Sequence, residues 1–148
     1  MYHVVSLVGP PGAGKTSLVL EPVDAYMSTF DVTKYTVERT CNTFLEVWDT
    51  PGLKRFADDR DKCLRRCDAH LLVVKSGDGV DAYWEDLVRT TPGVWALVVV
   101  RGDITDALRD VSTRLNIPIY SAKDCDDVWE AAEDALRHVV PRIKTYAI

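Results

Sequence analysis

Gly9-Pro10-Pro11-Gly12-Ala13-Gly14-Lys15-Thr16 follows the apolar run Val4-Val5-Ser6-Leu7-Val8 and leads into Ser17-Leu18-Val19-Leu20. The order G-x-x-x-x-G-K-T is that of a phosphate-binding loop. Its glycines let the backbone curl so that successive N–H groups point inward, and a helix starting there adds the positive end of its dipole. A polyphosphate suits such a cradle, with Gly9, Gly12, Ala13, Gly14, Lys15, Thr16 and Ser17 around it. Lys15 would reach the terminal phosphates as a point charge, and the Thr16 hydroxyl is a hard oxygen ligand for Mg²⁺. The loop implies a nucleotide without saying which one. Further along stands Trp48-Asp49-Thr50-Pro51-Gly52-Leu53. A carboxylate at a strand end beside the loop can hold Mg²⁺ through water, and a glycine N–H can approach a γ-phosphate because no side chain obstructs it.

Both constellations need a strand to deliver them. Residues 2–8 read as a buried strand, and 15–21 as a helix that Pro22 stops, since proline lacks an N–H and clashes with the preceding turn. Residues 23–33 show no period and read as a loop. Residues 34–40 and 43–49 form a hairpin turning at Cys41-Asn42, and a short helix begins near Phe56. Beyond it the pattern is regular: a strand over 69–75, a Gly/Asp turn, a helix over 81–90 capped by Asp81 and ended before Pro92, and a strand over 94–100. That last strand is the most apolar and is expected to be central. A helix over 105–115, a short strand over 118–120 and a helix over 126–140 complete the chain. Strands alternating with helices predict a parallel α/β sheet with helices on both faces, in which ligands bind beyond the carboxyl ends of the strands.

Length and composition agree with one domain. The chain has 148 residues, of which 47% are hydrophobic and 28% charged, which suits a folded protein and argues against wholesale disorder. A net charge of −5 and an isoelectric point near 5.1 argue against nucleic acid as the main partner. Arg60, Lys62, Arg65 and Arg66 are interleaved with Asp58, Asp59, Asp61 and Asp68, and read as a solvated helix face. Cys41, Cys63, Cys67 and Cys125 contain no C-x-x-C pair and are expected to be reduced thiols of an intracellular, cytoplasmic protein. His3, His70 and His138 are scattered and read as surface or strand-end residues. Asp78, Asp81, Glu85 and Asp86 read as a capped, solvated helix start rather than a second metal site. Neither a membrane-length apolar run, a signal peptide nor a lipidation motif is found, so no direct membrane anchor is expected.

With Ser121-Ala122-Lys123 added, the chain resembles the Ras-like small GTPases, the Rab branch in particular. Tyr26-Met27-Ser28-Thr29, the stretch from Trp48 to Phe56 and Ile119-Tyr120-Ser121-Ala122-Lys123 carry the likeness in the expected order. The resemblance implies a single G domain over 1–148: an α/β P-loop fold, its central sheet mostly parallel with one antiparallel edge strand. It implies GTP or GDP as ligand, with Mg²⁺ held by Thr16, Thr29 and Asp49. Lys15, Thr29 and Gly52 would act at the reacting phosphate. Arg101 and Asp103 would meet the guanine, Asp103 accepting from its N1–H and 2-amino group, while Ser121, Ala122 and Lys123 close over the base. An effector would bind residues 26–36 and 50–60 as they respond to the γ-phosphate, and activating and exchange proteins would act on the cycle.

Two departures bear on mechanism. Val100 stands where that family has an asparagine linking base to phosphate loop, which predicts weaker or looser guanine binding. Leu53 stands where a glutamine orients the attacking water, and leucine has neither donor nor acceptor, so slow hydrolysis is expected. A nucleotide-locked or pseudo-GTPase binding module is the first alternative. An ATP-using kinase or ATPase is the second; it lacks an arginine-rich lid and gives Asp49-x-x-Gly52 no role.

Overall fold

The computed structural model describes residues 2–10, 33–40, 43–50, 57–122 and 130. Six strands, β1 (Tyr2–Val8), β2 (Thr33–Thr40), β3 (Thr43–Asp49), β4 (Ala69–Lys75), β5 (Val94–Val100) and β6 (Ile119–Ala122), form one sheet in the order β2-β3-β1-β4-β5-β6. β3, β1, β4, β5 and β6 run parallel, and β2 pairs antiparallel with β3. The hairpin turn at Cys41-Asn42 and the helices expected over 15–21 and 126–140 lie outside the described residues.

Three helices are described: α1 (Ala57–Leu64), α2 (Ala82–Thr90) and α3 (Asp106–Leu115). Asp81 caps α2 by accepting from the Tyr83 N–H at 3.0 Å, and Thr105 caps α3 by accepting from Leu108 N–H at 3.3 Å. α3 ends on Asn116, whose left-handed φ of 54° turns its N–H back onto the Ser112 and Thr113 carbonyls.

Strand alternation divides the sheet into two faces. Leu72 and Val74 of β4 and Leu97 and Val99 of β5 form one cluster with Leu64 of α1, Trp84, Leu87 and Val88 of α2, and Leu108 and Val111 of α3. A side chain such as Leu72, wholly buried, contributes about 2 kcal/mol by leaving water. On the alternate positions Val5, Leu7, Leu71, Val73, Ala96 and Val98 are equally buried, as a parallel sheet demands.

Three expectations need correction. β5 is interior, between β4 and β6, but the middle of the sheet is β1 and β4. Apolarity reports burial of both faces, not position across the sheet, and β1 and β4 tolerate Ser6 and His70 because the two hydrogen-bond each other at 2.7 Å. His70 and His3 are strand-end residues as expected, each second in its strand, and both are buried. Arg60 is not part of a solvated face. Its side chain is fully buried under α2, donating to the Tyr83 hydroxyl, with its guanidinium carbon 5.3 Å from the Tyr83 ring centre and 5.0 Å from that of Trp84. Burial lowers its pKa, and Asp61 at 3.5 Å opposes that. Lys62, Arg65 and Arg66 do face solvent. Finally, Glu85 is buried, not solvated: Arg114 of α3 donates to it at 2.8 Å and Arg89 stands 3.8 Å away. The Arg114 hydrogen bond is the main reason its pKa is lowered.

Candidate functional site

The carboxyl ends of the parallel strands share one edge of the sheet, and the expected site residues that are described lie along it. β1 ends at Val8, beside Leu72, so that Gly9 follows next to Val73. A Cβ on Gly9 would stand 2.3 Å from the Val73 carbonyl oxygen, and the φ of 153° is one that other residues rarely adopt. Only glycine fits there, which explains on packing grounds why the phosphate-loop motif opens with one.

β3 arrives alongside. Asp49 is opposite Leu7 in register, and Thr50 then donates both its N–H, at 3.2 Å, and its hydroxyl, at 2.6 Å, to the Leu7 carbonyl. Thr50 is fully buried. It fastens the end of β3 to β1, so the backbone of Asp49 is held one strand away from the approach to Gly9. Thr50 is a site-positioning residue that motif reading passes over. Its signal was a small hydroxyl residue directly after a strand-ending aspartate.

Two strands from β1, β5 ends at Val100, whose neighbours in register are Lys75 on β4 and Ala122 on β6. Arg101 takes a left-handed φ of 59°, Gly102 a φ of 149°, and Arg101, Gly102 and Asp103 are exposed. Ser121 is exposed and Ala122 buried. The loop bearing Arg101 and Asp103 therefore begins beside the strand end that carries Ala122. With neighbouring strands roughly 4.8 Å apart, β1 and β5 are separated by roughly 10 Å and β6 lies one spacing beyond. That span is of the order of the length of one nucleotide. The fold also reverses its direction of winding at β1, with β3 and β2 on one side and β4, β5 and β6 on the other, the place where open α/β sheets bind ligands.

Gly12, Ala13, Gly14, Lys15, Thr16, Ser17, Thr29, Gly52 and Lys123 lie outside the described residues. Among the described residues no group of three or more His, Cys, Asp or Glu is arranged to hold a metal ion. The expected Mg²⁺ set of Thr16, Thr29 and Asp49 consists of two hydroxyls and a carboxylate, hard oxygen donors of the kind that ion takes, and Asp49 ends a strand on the correct edge. Among Asp78, Asp81, Glu85 and Asp86, Asp81 is spent on the α2 cap and Glu85 on Arg114.

Residues 4–101, more than half of the chain, match the 50S ribosome-binding GTPase family. The chain belongs to this GTPase family. As a GTPase domain it is a GTP-binding protein, and the parallel α/β sheet described above fits the α/β P-loop fold of that family. The match covers Gly9 to Thr16 and Asp49 to Gly52 and stops at Arg101, ahead of Asp103 and Ser121-Ala122-Lys123. None of the curated proteins matches this chain. Among the described residues no helix is long and apolar enough to cross a membrane.

Proposed function

We propose that this GTP-binding protein is a single-domain switch, 1–148, whose two sensing segments, 26–36 and 50–60, engage an effector while the γ-phosphate is present. The observation that carries the reading is the convergence of Gly9, Asp49, the 100–103 loop and Ala122 on one sheet edge, at the spacing of a nucleotide. Lys15 would neutralise the terminal phosphates, Gly52 would donate its N–H to the γ-phosphate, and Thr16, Thr29 and Asp49 would hold Mg²⁺. That ion, when bound, screens the phosphate charge. Asp103 would accept from guanine, Arg101 and Lys123 would lie along the ring, and Ala122 would offer its N–H to the guanine oxygen. Within the GTPases, Tyr26-Met27-Ser28-Thr29 and Ile119 to Lys123 favour a place near the Rab branch.

Turnover is slow on this reading, because Leu53 cannot orient water and an activating partner must supply what it lacks. The second reading, a nucleotide-locked binding module, is favoured by Val100. Its side chain is buried, so the position that holds an asparagine in Ras-like proteins serves packing here. Single-turnover hydrolysis of GTP by the wild type and by Leu53→Gln tests the pair. The switch reading expects a slow wild type that Leu53→Gln accelerates. A wild type as fast as ordinary Ras-like proteins overturns the assignment to Leu53, and a variant that stays inert favours the locked module.

A further inference from the structure

We propose that Ser76 is the positioning residue that holds the guanine-reading loop, residues 100–103, in place, a role that rests on the nucleotide reading above. Ser76 follows the last residue of β4, and it grips both ends of the loop. Its N–H donates to the Val100 carbonyl at 2.9 Å, and its hydroxyl donates to the Asp103 carbonyl. The loop also closes on Ser76 in the middle: a Cβ on Gly102 would meet Ser76 Cβ at 2.7 Å and Oγ at 2.8 Å.

The loop needs such a clamp. Arg101 sits at a φ of 59°, a left-handed conformation that is unfavourable for a non-glycine residue and persists only when its surroundings hold it. Val100 offers no polar group for a tether, since its apolar side chain is buried. Ser76 acts on backbone carbonyls alone. Its grip therefore leaves the carboxylate of the exposed Asp103 out of the clamp, on a loop that starts at Val100 beside Ala122. A carboxylate reads guanine through two adjacent donors, N1–H and the 2-amino group, and that fork tolerates little displacement. Inosine keeps the first donor and lacks the second, so the ratio of GTP to ITP affinity reports how well Asp103 is placed.

Equilibrium titration of the full chain with GTP and ITP, Mg²⁺ included, tests this. Ser76→Ala is expected to weaken GTP binding by roughly three- to tenfold, the worth of one net hydrogen bond, and to weaken ITP binding less, so that the preference narrows. Gly102→Ala, which drives a Cβ into the clamp, is expected to act in the same direction. In an Asp103→Asn background Ser76→Ala is expected to change the ratio no further, since the group it positions is gone. A wild type that prefers GTP over ITP, with both single variants keeping that ratio intact, overturns the role of Ser76 and leaves the nucleotide reading standing. Equal weakening of GTP and ITP by Ser76→Ala makes the bond merely structural and also overturns it. A wild type that binds neither nucleotide removes the nucleotide reading, and this inference with it.

Discussion

Two polar regions occupy opposite ends of the same strands, and they differ in how their hydrogen bonds are spent. At the amino ends of β4 and β5, the His70 ring lies 3.1 Å from the Pro92 carbonyl through Nε2, 2.7 Å from the Ser6 hydroxyl through Nδ1, and 4.6 Å from the Trp95 ring. A carbonyl only accepts, so Nε2 carries the hydrogen and Nδ1 accepts from Ser6. The Val4 N–H donates to Asp68 at 3.0 Å, with His3 4.0 Å from the same carboxylate. Every ring position of His70 has a partner inside the protein. At the carboxyl ends the side chains of Arg101, Asp103 and Ser121 are exposed, and the backbone is held instead by bonds to its carbonyls, those from the Thr50 and Ser76 hydroxyls included, and by close-packed glycines. Polar groups saturated from within build the sheet. Those kept at its open edge, on a backbone fixed by others, are available to a ligand.

The largest break in that contrast comes from Gly9→Ala. A Cβ 2.3 Å from a backbone oxygen has no flexible neighbour to yield, so stability should fall by about 4 kcal/mol and nucleotide binding should be lost. Urea unfolding and nucleotide titration of the variant check both.

The amino-end region is probed by acid. Burial holds the His70 pKa down at about 4, against an ordinary value of 6.5. Above pH 6.5 the ring is neutral folded and unfolded, and contributes no pH dependence. As pH falls from 6.5 towards 4 the unfolded chain takes up the proton first, so stability drops by up to about 3 kcal/mol before levelling off. His70→Phe should remove that slope while lowering stability at pH 7, where it leaves the Ser6 hydroxyl without this partner. Urea midpoints measured across the range decide it; an unchanged slope in the variant would assign the acid sensitivity elsewhere.

Smaller effects lie away from both regions. Asp81→Ala removes the α2 cap and should cost about 1 kcal/mol without changing nucleotide affinity. Arg114→Ala, which removes the half-exposed partner of the buried Glu85 and leaves Arg89 beside it, should lower the melting temperature least of the four.

Most strands were legible as apolar runs bounded by turn residues, while the largely polar β2 was read from its place in the hairpin. β1, β3, β4 and β5 start and stop where composition places them, and Asp81 and Thr105 announce α2 and α3. Burial of charge was not legible. Arg60 lies among aspartates in sequence, and nothing local shows that Tyr83 and Trp84 of the next helix will enclose it. His70 looks like any strand-end histidine until the β1–β4 register puts Ser6 beside it. At the site, Gly9 and Asp49 could be named from motifs because the chemistry prescribes them. Thr50 is marked only by its place directly after that aspartate and Ser76 not at all, since each acts on the carbonyl of a residue distant in sequence.

Mass analysis of the nucleotide that co-purifies with the full chain tests the central claim most directly. A guanine nucleotide is predicted, with GTP surviving intact in a substantial share because Leu53 slows its hydrolysis. Recovery of ATP, or of protein free of nucleotide that then fails to bind GTP with Mg²⁺ present, would contradict the account.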